Sequence, residues 1–291
     1  MKIAVLSDIH GNYPALETVI EHIDRWNPDF VFVAGDMVNR GPCSFDCMEV
    51  IEDRKLSNGW KVIRGNHEDY VISRSEPNQP TEGPLFDLHQ PTTYVYQQFN
   101  CDVSDLYSLP EDHDYITEDH GEVRMRHASM RHNRDGIYPE TPNHVLKKQI
   151  SPLPNVFITG HTHRPFVRQV DKTLVVNAGS VGLPFDGDFR TGYAQIAYFS
   201  NAWHGEIIRL DYDIEKAETD FESSGFIEGG GPITSIVLLE LQTASSQLYH
   251  WSECYSRQIL NGTITVKKAT EKYLENSMSR PYWWHHSYKT D

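Results

Sequence analysis

Five short apolar runs in this chain end in the same way. IAVL at 3–6 passes into Ser7-Asp8-Ile9-His10-Gly11-Asn12, FVFVA at 30–34 into Gly35-Asp36-Met37-Val38-Asn39-Arg40-Gly41, and WKVI at 60–63 into Arg64-Gly65-Asn66-His67-Glu68-Asp69. Further on, EVRMR at 122–126 meets His127-Ala128-Ser129, and VFIT at 156–159 meets Gly160-His161-Thr162-His163. Apolar runs of this length, bounded by turn residues, read as buried strands. Their shared punctuation puts Asp, His, Asn and Gly at the carboxyl ends, the edge at which α/β sheets hold ligands. Core packing gives no reason for so many strands to finish on the side-chain types that bind metals.

The segments between the first three runs fit helices. Asn12-Tyr13-Pro14 opens one with Leu16, Val19, Ile20 and Ile23 on a single face, and Ser44 is placed to cap another that turns Met48 and Ile51 inward. Strand, helix, strand, helix, strand implies right-handed crossovers and a largely parallel sheet. Residues 75–93, rich in Pro and polar side chains, read as a surface loop followed by a short helical piece at 94–99. Beyond it, runs at 122–127, 156–159, 173–176, 192–199 and 204–209 predict a strand-rich half, and with it two facing sheets flanked by helices. From about Asp211 the pattern turns helical, with a break at Gly229-Gly230-Gly231-Pro232 and two helices over 233–255 and 263–278. The chain thus divides into a catalytic domain at 1–210, with an insertion at about 75–110, and a helical extension at 211–291. That extension can cap the site, oligomerise, or pad the outer face of the sandwich, and padding is the plainest of the three.

At 291 residues the chain is long enough for one large domain with an appendage and a substantial core. No apolar stretch approaches the ~18 residues needed to cross a bilayer, so no membrane role is expected. MKIAVLSD enters a strand at once, without the apolar core and cleavage site of a signal peptide. Cys43, Cys47, Cys101 and Cys254 form no CxxC pair, which sets aside zinc ribbons and disulfide scaffolds and fits a reducing, cytoplasmic setting. Against 26 Lys and Arg stand 41 Asp and Glu, and the net charge of -15 repels the phosphate backbone of duplex nucleic acid. A small phosphorylated substrate stays open where cations reverse the field inside one cleft. Oligomeric state leaves no trace in the sequence.

Chemically, the strand-end set suits two divalent ions ~4 Å apart, because one carboxylate can bridge them while imidazoles, a carboxamide oxygen and a second carboxylate complete each shell. Glycines beside Asp36, Asn66 and His161 let the backbone turn sharply and approach the ligands. Each fragment alone has a plainer alternative. Asp8 and His10 can mark a strand-end turn, Asn66 and His67 a helix cap followed by a surface histidine, and His120 and His132 compete with His127.

Taken in order, DxH, GDxxxxG, GNHE, an isolated His on a later strand and GHTH resemble the calcineurin-like metallophosphoesterases over about residues 1–210. The resemblance implies an α/β fold, a four-layer α/β/β/α sandwich with a two-metal site between the carboxyl ends of its sheets. It assigns Asp8, His10, Asp36 and His163 to one metal and Asp36, Asn66, His127 and His161 to the other, with Asp36 as the bridge. His67 becomes the candidate general acid, and Arg40 with Asn39 the candidate substrate-binding pair. The metals implied are Mn, Fe, Zn or Ni, with Mn favoured. The implied activity is hydrolysis of a small phosphate ester, a nucleotide-like phosphodiester or a monoester.

Two branches of that family are mixed in the motifs. GDxVxRGPxS and GNHE look like the serine/threonine phosphatases and diadenosine tetraphosphatases, whereas GHTH with Asn177-Ala178-Gly179-Ser180-Val181-Gly182-Leu183-Pro184 looks like compact bacterial phosphodiesterases. The protein-phosphatase branch carries Asp where this chain has Asn39, and that Asp supports the catalytic histidine. A phosphoprotein phosphatase is therefore the alternative, with a catalytically silent scaffold of the same fold behind it. In the tail, His285-His286 could bind metal adventitiously.

Overall fold

Ile3 and Val5 of β1 (Lys2–Leu6) pack into one apolar cluster and Ala4 and Leu6 into another, and that alternation organises the molecule in layers. The computed structural model describes residues 1–278. After β1 come α1 (Tyr13–Trp26), β2 (Phe30–Val33), α2 (Ser44–Asn58), β3 (Lys61–Val62) and α3 (Asn66–Ile72). Asn12 caps α1 by accepting from the Ala15 amide, and the buried stripe of Leu16, Val19, Ile20 and Ile23 is the one the sequence spacing predicts. The chain continues through α4 (Pro84–Gln98), α5 (Ser104–Ser108), β4 (Asp112–Thr117), β5 (Gly121–Arg126), α6 (Asn143–Gln149), β6 (Val156–Thr159), β7 (Phe166–Val170) and β8 (Thr173–Asn177). It closes with β9 (Thr191–Phe199), β10 (Ala202–Leu210), α7 (Ile214–Ser223), α8 (Phe226–Gly229), α9 (Thr234–Thr243), α10 (Leu248–Leu260) and α11 (Val266–Met278).

Two mixed sheets result. One has the order β10-β9-β1-β2-β3 and the other β4-β5-β6-β8-β7. Parallel pairing joins β1 with β2 with β3, which run to one edge of the first sheet beside the antiparallel β9 and β10, and joins β5 with β6 with β8 in the middle of the second, where the antiparallel β4 and β7 flank it. Between the sheets lie Ile3, Val5 and Phe32 from one and Val123, Met125, Val156 and Ile158 from the other. Outside, α1 and α2 cover the first sheet through Leu16, Val19 and Met48, and α6 covers the second, its Leu146 packing with Phe157 and Val175. This is the expected α/β/β/α sandwich. Among the described residues no helix is long and apolar enough to cross a membrane.

Several elements depart from the sequence reading. Residues 84–93 belong to α4 and not to a surface loop: Pro84 occupies its first turn, where an amide would have no helical partner anyway, and Pro91 is buried inside the helix. The strands β4 and β7 and the helix α6 were not expected; β4, DHDYIT, has the burial pattern of an edge strand whose charged side chains face solvent. Ser44 is the first helical residue of α2, not its cap, and its hydroxyl accepts from the Asn39 amide. The helix expected over 233–255 is broken, with Ala244 in the left-handed region at φ 45 and α10 starting afresh at Leu248. His285-His286 lies outside the described residues.

Packing between the sheets fixes the separation of the strand ends. Ile158 is fully buried one residue before the end of β6. Ile158→Ala is expected to lower the unfolding free energy by about 2–5 kcal/mol through lost burial and the cavity left behind. Urea denaturation measures it, and a loss below about 1 kcal/mol would show that the two sheets close over the gap.

Candidate metal centre and the chamber beside it

All five strand ends converge on one place between the sheets. Asp8 and His10 follow β1, Asp36 follows β2, Asn66 opens α3 after β3, His127 follows β5, and His161 and His163 follow β6. Asp8, His10, Asp36, His161 and His163 have positive φ values between 51 and 66, as do Asn39 at 69 and Arg40 at 67. The left-handed region costs a non-glycine residue about 1–2 kcal/mol. The turns hold it because the surrounding hydrogen bonds leave no other path. Gly65 and Gly160 are required for a different reason: a Cβ on Gly65 would lie 2.2 Å from Asp36 Oδ1, and one on Gly160 1.9 Å from Ser7 Oγ.

Glu68 is the residue that fixes two of these turns to each other. It is fully buried, and its two carboxylate oxygens accept from the backbone amides of Gly65 at 2.6 Å, Asp36 at 2.9 Å, Met37 at 2.7 Å and Val38 at 3.2 Å. Burial first and the nearby Asp36 carboxylate second raise its pKa to about 7, and the amide donors oppose that rise. A comparable stitch joins β8 to the β6 turn. Asn177 donates to the Gly160 carbonyl at 2.9 Å and the Thr162 hydroxyl at 3.0 Å, and Ser180 donates to the Asp8 carbonyl at 2.6 Å. The Gly179–Gly182 stretch is thus the brace of the site as well as a turn.

Proton bookkeeping at the centre shows what it needs. The Nδ1 atoms of His163 and His127 meet the carbonyl oxygens of Leu183 and Ala34, which only accept. Each ring therefore keeps a proton on Nδ1, which leaves Nε2 as the atom that faces inward and is available to a metal. His163 Nε2 then sits 3.1 Å from Asp8 Oδ1 and 3.1 Å from His10 Nε2, and Asp8 Oδ1 has no hydrogen-bond partner. His127 Nε2 lies 3.1 Å from Asn66 Oδ1 and 3.2 Å from Asp36 Oδ2. Acceptor atoms gathered this closely repel unless a proton or a metal cation sits among them. Among the described residues three overlapping gatherings are present, Asp8 with His10 and His163, Asp36 with His127 and His161, and His10 with Asp36 and His67 between them, where His10 lies 3.8 Å from Asp36 Oδ2.

The electrostatics agree. Burial opposes charge on the His127 ring, but the Asp36 carboxylate outweighs it and raises the pKa to about 10, so positive charge is favoured at Nε2, where a metal ion would replace the proton. Burial raises Asp36 too, yet the His127 and His67 rings hold it well below the usual carboxylate range. His10 is pulled well below its ordinary value by burial, with His67 and His163 adding to it, and His161 is lowered to about 4 by burial and by His127. Neutral imidazoles beside ionised carboxylates are the form in which these groups ligate.

His67 stands at the rim of this centre, its ring 4.7 Å from that of His10. Its backbone amide donates to Asp36 Oδ1 at 2.8 Å, Arg40 Nε lies 3.3 Å from its Nε2, and Asn39 Nδ2 lies 2.9 Å from its Nδ1. A neutral imidazole accepts at one nitrogen only, so Arg40 and Asn39 compete for a single lone pair. Burial pulls the His67 pKa well down, while Asp36 pushes it up. Arg40 also binds Glu240 of α9 at 2.6 Å, across 200 residues of sequence.

A chamber of about 1050 Å³ opens from Asp36, Asn66 and His67 outward. Leu88 and Pro91 of α4, Val237 of α9 and Leu248 and Trp251 of α10 are among its walls. The C-terminal helices are therefore not simple padding, since two of them line the site. Tyr94 and Phe99 pack instead against Phe226 and Phe45, and Arg131 pairs with Asp135 away from the chamber. Of the competitors to His127, His120 stacks on Tyr198 and stays outside the centre. Two residues with roles here went unassigned in the sequence. Glu68 lies inside the quoted GNHE motif, and Glu240 is the single charge in the apolar run TSIVLLELQT, which is itself a signal.

If Glu68 holds the two turns, Glu68→Gln should be costly, because the amide nitrogen must face backbone donors. A loss of about 1–3 kcal/mol is expected, read as a lower midpoint in thermal unfolding. An unchanged midpoint would mean that the turns hold without it.

Comparison with known proteins agrees with this geometry. The model of the calcineurin-like phosphoesterase superfamily domain matches residues 1–198. The uncharacterized protein MJ0912 of Methanocaldococcus jannaschii is 29% identical over 236 residues, covering 74% of this chain and 89% of that protein. The phosphodiesterase YfcE of Escherichia coli strain K12 is 25% identical over 195 residues, covering 65% of this chain and 83% of that one. Among solved structures, a metallophosphoesterase from Sphaerobacter thermophilus shares the fold, with a TM-score of 0.65 and 23% identity over 84% of this chain and 99% of that one. The chain belongs to the calcineurin-like phosphoesterase superfamily, and so to the metal-dependent hydrolases of phosphate esters.

Proposed function

We propose that this enzyme hydrolyses a small phosphate ester, a nucleotide-like phosphodiester or a monoester, with the help of two divalent ions. One observation carries the reading: the inward-turned acceptors gather at two neighbouring points that share Asp36 Oδ2. Asp8, His10, Asp36 and His163 would hold one ion and Asp36, Asn66, His127 and His161 the other. The donors are nitrogen and oxygen with no thiolate, which suits Mn, Fe, Zn or Ni, and we favour Mn. Ions bound there lower the pKa of water toward neutrality and offset charge on the phosphoryl oxygens.

The chain itself contributes position and protons. Asp36 serves as the shared carboxylate while its Oδ1 fixes the His67 backbone. His67, kept neutral by burial, presents an N–H to the departing oxygen and stabilises the charge that develops there by a hydrogen bond. Arg40 exchanges its contact with His67 for two phosphoryl oxygens, which its guanidinium fork matches. Asn39 then keeps the His67 ring in place. The α4 and α10 walls beside the site favour a small ester over a folded phosphoprotein. We place the enzyme in the cytoplasm, where the exposed free thiols Cys101 and Cys254 stay reduced.

Protein stripped and reloaded with Mn²⁺ is expected to hydrolyse 4-nitrophenyl phosphate or its bis ester. Absence of turnover with each of Mn²⁺, Fe²⁺, Co²⁺, Ni²⁺ and Zn²⁺ would refute the reading. Metal analysis separates the roles: Asp36→Asn should lose bound metal, whereas His67→Ala should keep it and lose about 10²–10⁴-fold in kcat. Equal metal loss in both variants contradicts the assignment.

A further inference from the structure

The chamber is far larger than a phosphoryl group requires. At about 1050 Å³ it reaches the upper end of small-molecule sites, which run from ~300 to ~1,000 Å³. Leu88, Pro91, Phe185, Leu248, Tyr249 and Trp251 make much of its lining apolar or aromatic, with neutral hydroxyls such as that of Ser252 among them. The cations among its described lining residues are Arg40 and Arg164, and each already has a carboxylate, Glu240 at 2.6 Å and Glu140 at 2.7 Å. No lysine lines it. A ligand with several phosphates would leave those beyond the metal centre facing largely apolar surface, neutral hydroxyls and paired arginines, at a desolvation cost that no unpaired Lys or Arg among the described lining residues offsets.

We infer that α9 and α10 make this chamber the binding site for the alcohol half of the ester, and that the alcohol is bulky, aromatic and uncharged. The inference rests on the phosphoesterase reading above and narrows its substrate class. It disfavours dinucleoside polyphosphates, whose charge extends beyond one phosphoryl group. Apolar contact supplies the selectivity, so affinity should rise with each aromatic ring that the chamber removes from water.

Two phenols of similar acidity, phenol and 4-phenylphenol, separate ring burial from leaving-group chemistry. Calorimetric titration of the metal-free protein should give 4-phenylphenol a Kd at least about ten-fold below that of phenol. With Mn²⁺ bound, 4-phenylphenyl phosphate should show a correspondingly lower KM than phenyl phosphate, and a higher kcat/KM than a dinucleoside tetraphosphate. Ser252→Glu puts a charge on the chamber face of α10 at a half-buried position where the fold can accept it, as circular dichroism will verify. It should abolish the preference for the larger phenol. Equal affinities for the two phenols, undiminished 4-phenylphenol binding by Ser252→Glu, or better turnover of the tetraphosphate would each overturn the inference while leaving the phosphoesterase reading intact. Binding of 4-phenylphenol with no turnover of any ester would instead refute that reading, and the substrate assignment with it.

Discussion

A single carboxylate, that of Glu68, holds together the two turns on which the metal centre depends. Four backbone amides from two strand-end turns point at its oxygens, and no water reaches them. Amides left without acceptors in such a place cost about as much as lost hydrogen bonds, so the turns are stable only as a pair. Asp36 inherits its position from that pairing, because its own amide is one of the four. The His67 amide is then fixed by Asp36 Oδ1. Position thus passes from a buried carboxylate to the shared acceptor and on to the candidate acid.

The second sheet contributes in a parallel way. His127 and His163 are each oriented by a carbonyl, Ala34 from the opposite sheet and Leu183 from the β8–β9 connection. Orientation by carbonyl fixes the tautomer, and the tautomer decides that the ring offers a lone pair instead of a proton. The sandwich is therefore more than a scaffold with ligands at its edge. Its separation of sheets, set by Ile158, Val5 and their neighbours, is what brings Ala34 within reach of His127.

Much of this was legible in the sequence, for a local reason. A strand that stops at Asp-x-His or Gly-Asn-His states both its end and its chemistry within a few residues, so the layers and the seven candidate ligands at the strand ends could be read with the help of the family resemblance, whereas the contact of Arg40 with His67 could not. What escaped reading depends on distant partners. The helix α4 contains two prolines and looks like a loop until its buried side, Pro91 and Val95, is set against the C-terminal helices. The break at Ala244 has no glycine or proline to announce it; the buried Glu240 carboxylate, capping the amides of Gln247 and Leu248, stabilises it from outside the local sequence. Ser44 was displaced by one position because its hydroxyl serves the Asn39 turn before it serves α2.

Glu240 joins two jobs in one side chain. One oxygen caps the start of α10 and the other grips the Arg40 guanidinium, and the side chain is fully buried. If α10 swung away to admit a ligand, Glu240 would lose its amide donors. If Arg40 turned fully toward a phosphate, Glu240 would lose its cation. A desolvated carboxylate tolerates neither loss cheaply. Opening of the outer wall and grip on the phosphate are thereby linked through one side chain, and an event at either end of the chamber is felt at the other.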